Sequence, residues 1–185
     1  MAKPMKKMGR REKPEYDQKL LDLARVTRVV KGGRRFRFRA TLVIGNRKGK
    51  VGVGIAKGSD VSDAIQKAFN DAKKSLSTVT LVGGTIAHDV RAKYGSAKVM
   101  LKPGKEGRGL IAGGAVRAVM DLLGVKDVVS KSLGSSNSLN LARATILALG
   151  DLKNVAKAEE TAPSSPSIKE AKAKEEEPIT HALKS

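Results

Sequence analysis

The chain has 185 residues, with 37 Lys and Arg against 18 Asp and Glu, a formal net charge of +19, 3% aromatic residues and no Cys. Such an excess of positive charge is self-repulsive in a free compact protein and suits one that lies against a polyanion. Without Cys, and with His88 and His181 as the only imidazoles, disulfides, thiolate sites and clustered histidine ligands are excluded, so no cofactor or metal is expected.

Aromatic residues are too few for a protein that reads single strands mainly by stacking bases. No apolar run approaches the roughly 18 residues that cross a bilayer, so the expected setting is cytoplasmic, with no membrane partner and no small-molecule substrate.

Charge is unevenly placed along the chain. Residues 1–50 hold 17 Lys and Arg and 4 Asp and Glu; 51–154 hold 15 and 8; 155–185 hold 5 and 6. Residues 1–16 read as a flexible basic arm. Residues 155–185 hold almost no large apolar side chains and read as a disordered tail.

Between them the elements follow in order. Leu23–Val30 reads as a strand that carries Arg25 and Arg28. Lys31-Gly32-Gly33-Arg34 is a turn with a cation at each end. Phe36–Ile44 alternates, with Phe36, Phe38, Ala40, Leu42 and Ile44 on one face and Arg35, Arg37, Arg39 and Thr41 on the other, so a row of guanidinium groups is expected opposite the core. Arg47 and Lys48 lie in a second basic turn that ends at Lys50. Val51, Val53 and Ile55 mark a third strand, whose Gly52 and Gly54 admit a backbone or a ligand at close range. Val61, Ala64, Ile65, Ala68, Phe69, Ala72 and Leu76 form the apolar stripe of a helix. A small sheet backed by a helix is the expected first domain, over 17–80.

The second half, 81–154, reads as another α+β unit. Strands are expected over Thr78–Val82 and Thr85–Arg91 around a Gly83-Gly84 turn, then over Lys98–Lys102. A glycine-rich loop, Gly104–Gly114, leads into a helix over Ala115–Leu123 that stops at Gly124. Val125–Leu133 is strand-like, and a last helix runs over Leu139–Leu149.

The cations Lys31, Arg34, Arg35, Arg37, Arg39, Arg47, Lys48 and Lys50 fall within twenty residues and suit duplex RNA, which is read by shape and phosphate. Lys105, Gly107 and Arg108 in the glycine-rich loop are a second candidate, because such a loop before a helix start presents amides to phosphate. A tight turn that packs the helix close explains the same glycines. The loop lacks the Gly-Lys-Ser/Thr of a nucleotide-binding P-loop. His88-Asp89 has no nucleophile or second histidine nearby in sequence and is not read as catalytic.

Five blocks in order, Arg25–Arg34, Gly49–Gly54, Ala64–Ala68, Gly107–Ala118 and Lys131–Asn137, resemble the bacterial form of small-subunit ribosomal protein number five, over about residues 17–154. The resemblance implies an amino-terminal domain like the double-stranded-RNA-binding fold, then an α+β domain with a left-handed βαβ crossover. It implies a non-enzymatic constituent of the small ribosomal subunit that supports assembly and influences translational accuracy. The implied partners are 16S rRNA and small-subunit proteins number four and number eight, near the path by which messenger RNA enters. By motif match, the Lys31–Arg34 turn corresponds to a loop linked to spectinomycin response. Gly109 and Arg117 match positions tied to accuracy at the contact with protein number four.

Two other functions fit parts of the pattern. A free double-stranded-RNA-binding regulator would stay off ribosomal subunits. A phosphate-handling enzyme would turn over nucleotides, and the missing catalytic groups oppose it.

Overall fold

A computed structural model describes residues 15–152; the expected arm, up to residue 14, and the expected tail lie outside the described residues. The first sheet is antiparallel throughout, in the order β1 (Asp17–Val30), β2 (Gly33–Gly45), β3 (Lys50–Gly58), β4 (Leu76–Thr78), with α1 (Val61–Lys74) between the last two. The second sheet contains β5 (Val90–Tyr94), β6 (Ala97–Pro103), β7 (Leu110–Ile111) and β8 (Val128–Gly134), in the order β5-β6-β8-β7. The βαβ unit is present: β7 and β8 are parallel and are joined through α2 (Gly114–Leu123). α3 (Ser138–Gly150) ends the described chain. The fold class is α+β, as the sequence indicates.

The middle of the first sheet is buried on both faces, where a single buried face was expected. Ala40, Leu42 and Ile44 pack with Ala64, Ala68 and Ala72 of α1. Their paired neighbours on β3 are not the valines but Ala56, Gly54 and Gly52. A Cβ on Gly54 would collide with the backbone of Ala68, and one on Gly52 would lie 2.6 Å from the Ala72 carbonyl. The glycines thus let the alanine stripe of α1 settle flush on β3. Another backbone, not a ligand, is what approaches them.

Val43, Val51 and Val53 face the other way and join a core with Val116, Val119, Leu122 and Leu123 of α2. Helix α2 therefore lies between the two sheets. This explains why it buries Ala118 and Leu122 in addition to the apolar stripe of Val116, Val119, Met120 and Leu123. It stops where expected, at Gly124, whose left-handed φ of 96° only glycine adopts without strain.

Several boundaries move. β1 starts six residues before Leu23, and Leu76 leaves the helical stripe to form β4 against Gly52. The expected Thr78–Val82 and Thr85–Arg91 strands reduce to a single bridge, Val82 to Thr85, around Gly83-Gly84. The regular strand begins only at Val90. Asn137 caps α3, its side chain accepting from the amides of Leu139 and Asn140.

Candidate nucleic-acid interface

β1 and β2 are far longer than β3. β3 pairs with β2 only from Phe38 to Gly45, so the hairpin from Val26 to Arg37 projects beyond the sheet as a two-stranded ribbon, with Arg25 at its root opposite Phe38. Its turn is Lys31-Gly32, closed by the Val30–Gly33 pair. Nothing lies within 4 Å of where a Cβ would stand on Gly32 or Gly33. Arg25 at the root and Arg28, Lys31, Arg34, Arg35 and Arg37 on the ribbon are all exposed.

Directly opposed residues of an antiparallel pair share a face. One face of the ribbon carries Arg28 opposite Arg35, with Arg37 two residues further along. The other carries Arg25, Phe36 and Arg34, the Arg25 guanidinium lying 4.1 Å from the Phe36 ring centroid. Phe36 was expected in the core. It lies past the end of α1's cover and is 46% exposed, while Phe38, two residues nearer the sheet, packs against the α1 core.

Two cations of the expected set are already engaged. At the ribbon's root, an Arg39 Nη lies 3.3 Å from an Asp22 carboxylate oxygen. Arg47 Nε lies 3.1 Å from Asp17. The Asn46–Gly49 turn is itself docked on the end of α2. The amides of Arg47 and Gly49 donate to the carbonyls of Leu122 and Leu123, at 2.9 and 3.0 Å. These bonds satisfy carbonyls that a helix end otherwise leaves open, and they set the Arg47 charge beside the negative end of the helix. The Asn46 side chain accepts from the amides of Lys48 and Lys50, which shapes the turn and leaves both lysines exposed.

The two basic turns do not form one cluster. They cap opposite ends of β2, which at about 3.3 Å per residue separates them by roughly 40 Å.

In the glycine-rich loop Lys105, Gly107 and Arg108 are exposed. The Gly109 amide is not open to an anion, since it donates to the Asp127 carboxylate at 2.6 Å. Arg117 is exposed, off the buried face of α2, and its guanidinium donates to the Leu110 carbonyl at 2.9 Å. It thereby ties the helix to the end of the loop. Asp89 pairs with Lys102 at 3.4 Å. No group of three or more potential metal ligands occurs among the described residues.

A concavity of about 820 Å³ opens between the start of β1, α1 and the end of α2. Its charged groups pair among themselves, Arg47 with Asp17 and Lys19 with Asp121. The outer face of the second sheet escaped the sequence reading. Arg91, Lys93, Lys98 and Lys131 are all exposed there, and the signal was the alternation within Val90–Tyr94 and Ala97–Lys102.

Comparison with known proteins gives matches over both halves. Residues 16–80 match the family described as ribosomal protein S5, N-terminal domain, and residues 92–162 match ribosomal protein S5, C-terminal domain. The chain is also similar to the small ribosomal subunit protein uS5 of Campylobacter jejuni. It is 53% identical to those of strains 81-176 and RM1221 over 146 residues, covering 79% of this chain and 99% of each relative.

Proposed function

The chain belongs to the ribosomal protein S5 family, whose members are structural and not enzymatic, and from that premise we propose that it grips 16S rRNA in the small ribosomal subunit with the Val26–Arg37 ribbon and Arg25 at its root. The observation that carries this reading is the ribbon's uncompensated charge. Between Ala24 and Phe38 there is no acidic residue, and Arg28 stands directly opposite Arg35. Like charges opposed across two strands destabilise them, and phosphates lying between them reverse the sign. A narrow projecting ribbon also reaches into folded RNA where a flat sheet does not.

Lys48, Lys50, Lys105 and Arg108 are exposed cations away from the ribbon and serve as secondary phosphate contacts. The ends of β7 and α2, around Gly109 and Arg117, are the surface for another small-subunit protein, number four. Protein number eight and the path by which messenger RNA enters complete the proposed surroundings. Support of assembly and influence on accuracy follow from holding RNA and protein neighbours in one geometry, in the cytoplasm where ribosomes work. The same reading divides the chain near residue 80, into units of 17–80 and 81–154.

The test is the salt dependence of binding to 16S rRNA. Replacing Arg28, Arg35 and Arg37 together by Ser should weaken binding and flatten the log–log salt slope by about one unit for each phosphate left unneutralised. A slope equal to that of the unaltered protein would exclude the ribbon as the main grip.

A further inference from the structure

The helices α2 and α3 cover one face of the second sheet, where Val90, Ala97, Val99, Leu101 and Val128 are buried. The register fixes what stands on the other face. One row holds Lys93, Lys98 and Leu133; the next holds Arg91, Met100 and Lys131; the third holds Lys102, Val129 and Ile111. No described element covers these rows. Leu133 and Ile111 are 47% and 46% exposed, among the most exposed large apolar side chains of the described residues.

Two features define what would fit. The face is cationic without matching acids: only Lys102 has an ion-pair partner, Asp89, among the described residues. Lys93 stands directly opposite Lys98, a repulsive arrangement until an anion is supplied. The cations are also interleaved with an apolar path, Leu133, Met100, Val129 and Ile111, that crosses three strands. Phosphate backbones match the first feature and leave the second exposed to water. A protein surface with an apolar centre and a carboxylate rim matches both, since interface cores bury apolar side chains inside a polar margin.

We propose that the outer face of the β5-β6-β8-β7 sheet docks an acidic protein neighbour, with Arg91, Lys93, Lys98 and Lys131 meeting its carboxylates and Met100 and Leu133 its apolar centre. The inference rests on the chain's place in the small subunit, and it adds an interface separate from the ribbon, centred on β5, β6 and β8 and meeting the Arg117 end of the fold only at Ile111.

The test places photoreactive p-benzoylphenylalanine at Leu133 in the full-length protein and irradiates purified small subunits. The expected product is a crosslink to one protein, through a peptide that contains Asp or Glu. Adding Lys93→Glu and Lys98→Glu should cut its yield several-fold while incorporation into subunits is unchanged. If the double reversal impairs incorporation, Lys93→Ser with Lys98→Ser gives the same comparison. A crosslink to rRNA, to residues 155–185 of the chain itself, or to a peptide without carboxylates overturns the proposal. So does an absent crosslink with Lys98 as reactive to an amine-acylating reagent in the subunit as in the free protein. Failure of the unsubstituted chain to enter subunits at all would instead strike at the ribosomal reading.

Discussion

Arg37 and Arg39 look alike in sequence, two residues apart on one face of one strand. The fold separates their roles. Arg37 stands on the free ribbon, whereas Arg39 sits at its root against Asp22. Arg37→Ser should lower the salt slope of RNA binding by about one unit and leave the denaturation midpoint nearly unchanged. Arg39→Ser should do the reverse, costing up to about 1 kcal/mol of stability, as expected for a partly exposed ion pair, with little effect on the slope. Equal effects of the two substitutions on the slope would show that Asp22 does not neutralise Arg39. The alternation that placed both arginines opposite the core was legible. The Asp22 partner was not, because the strand was expected to begin at Leu23; β1 instead runs from Asp17, and the unbroken register from the hairpin turn sets Asp22 opposite Thr41 on the face that carries Arg39. Arg117 behaves as its position off the apolar stripe suggests. Its bond to the Leu110 carbonyl is exposed, so Arg117→Ala should cost about 1 kcal/mol or less. If this end of the fold holds a neighbour, the same variant should alter decoding errors in a misreading reporter. A large fall in melting temperature with unaltered accuracy would make Arg117 a structural clamp alone.

At the level of elements, β3 and α1 form the tightest contact. Gly52 and Gly54 signalled a close approach in the sequence, but what approaches was open until α1 was placed. The alternating valines of β3 then proved to face α2, away from α1, and the glycines to be the α1-facing surface. Single-strand periodicity cannot reveal two-sided burial, because the second covering layer comes from residues 114–123, roughly sixty positions later. Gly54→Ala should therefore cost about 1–3 kcal/mol in urea denaturation, the range for overpacking a filled core. Gly32→Ala, where the added methyl meets open space, should change stability by less than about 0.5 kcal/mol. Comparable destabilisation at the two positions would mean that α1 can shift away from β3 at little cost.

For the whole molecule, α2 is the piece that joins the two sheets. It packs against α3 and the first sheet, and its final carbonyls hold the Asn46–Gly49 turn. Both cores lie within the described residues, so deleting Val155–Ser185 should leave incorporation into subunits intact, as tested by gel analysis of gradient fractions. A net charge of +19 was enough to point to a polyanion. It could not separate the cationic ribbon of the first sheet from the cationic outer face of the second, a distinction that needs strand register. The central claim is that this chain works as a fixed part of the small subunit, held by its ribbon. The most direct measurement sediments native cell extract through sucrose at rising salt and follows the chain beside its Arg28, Arg35 and Arg37 triple-serine variant. The account predicts that the native chain travels with the small subunit and that the variant is released at clearly lower salt. A native chain that remains at the top of the gradient, or a variant retained as firmly as the native chain, would contradict it.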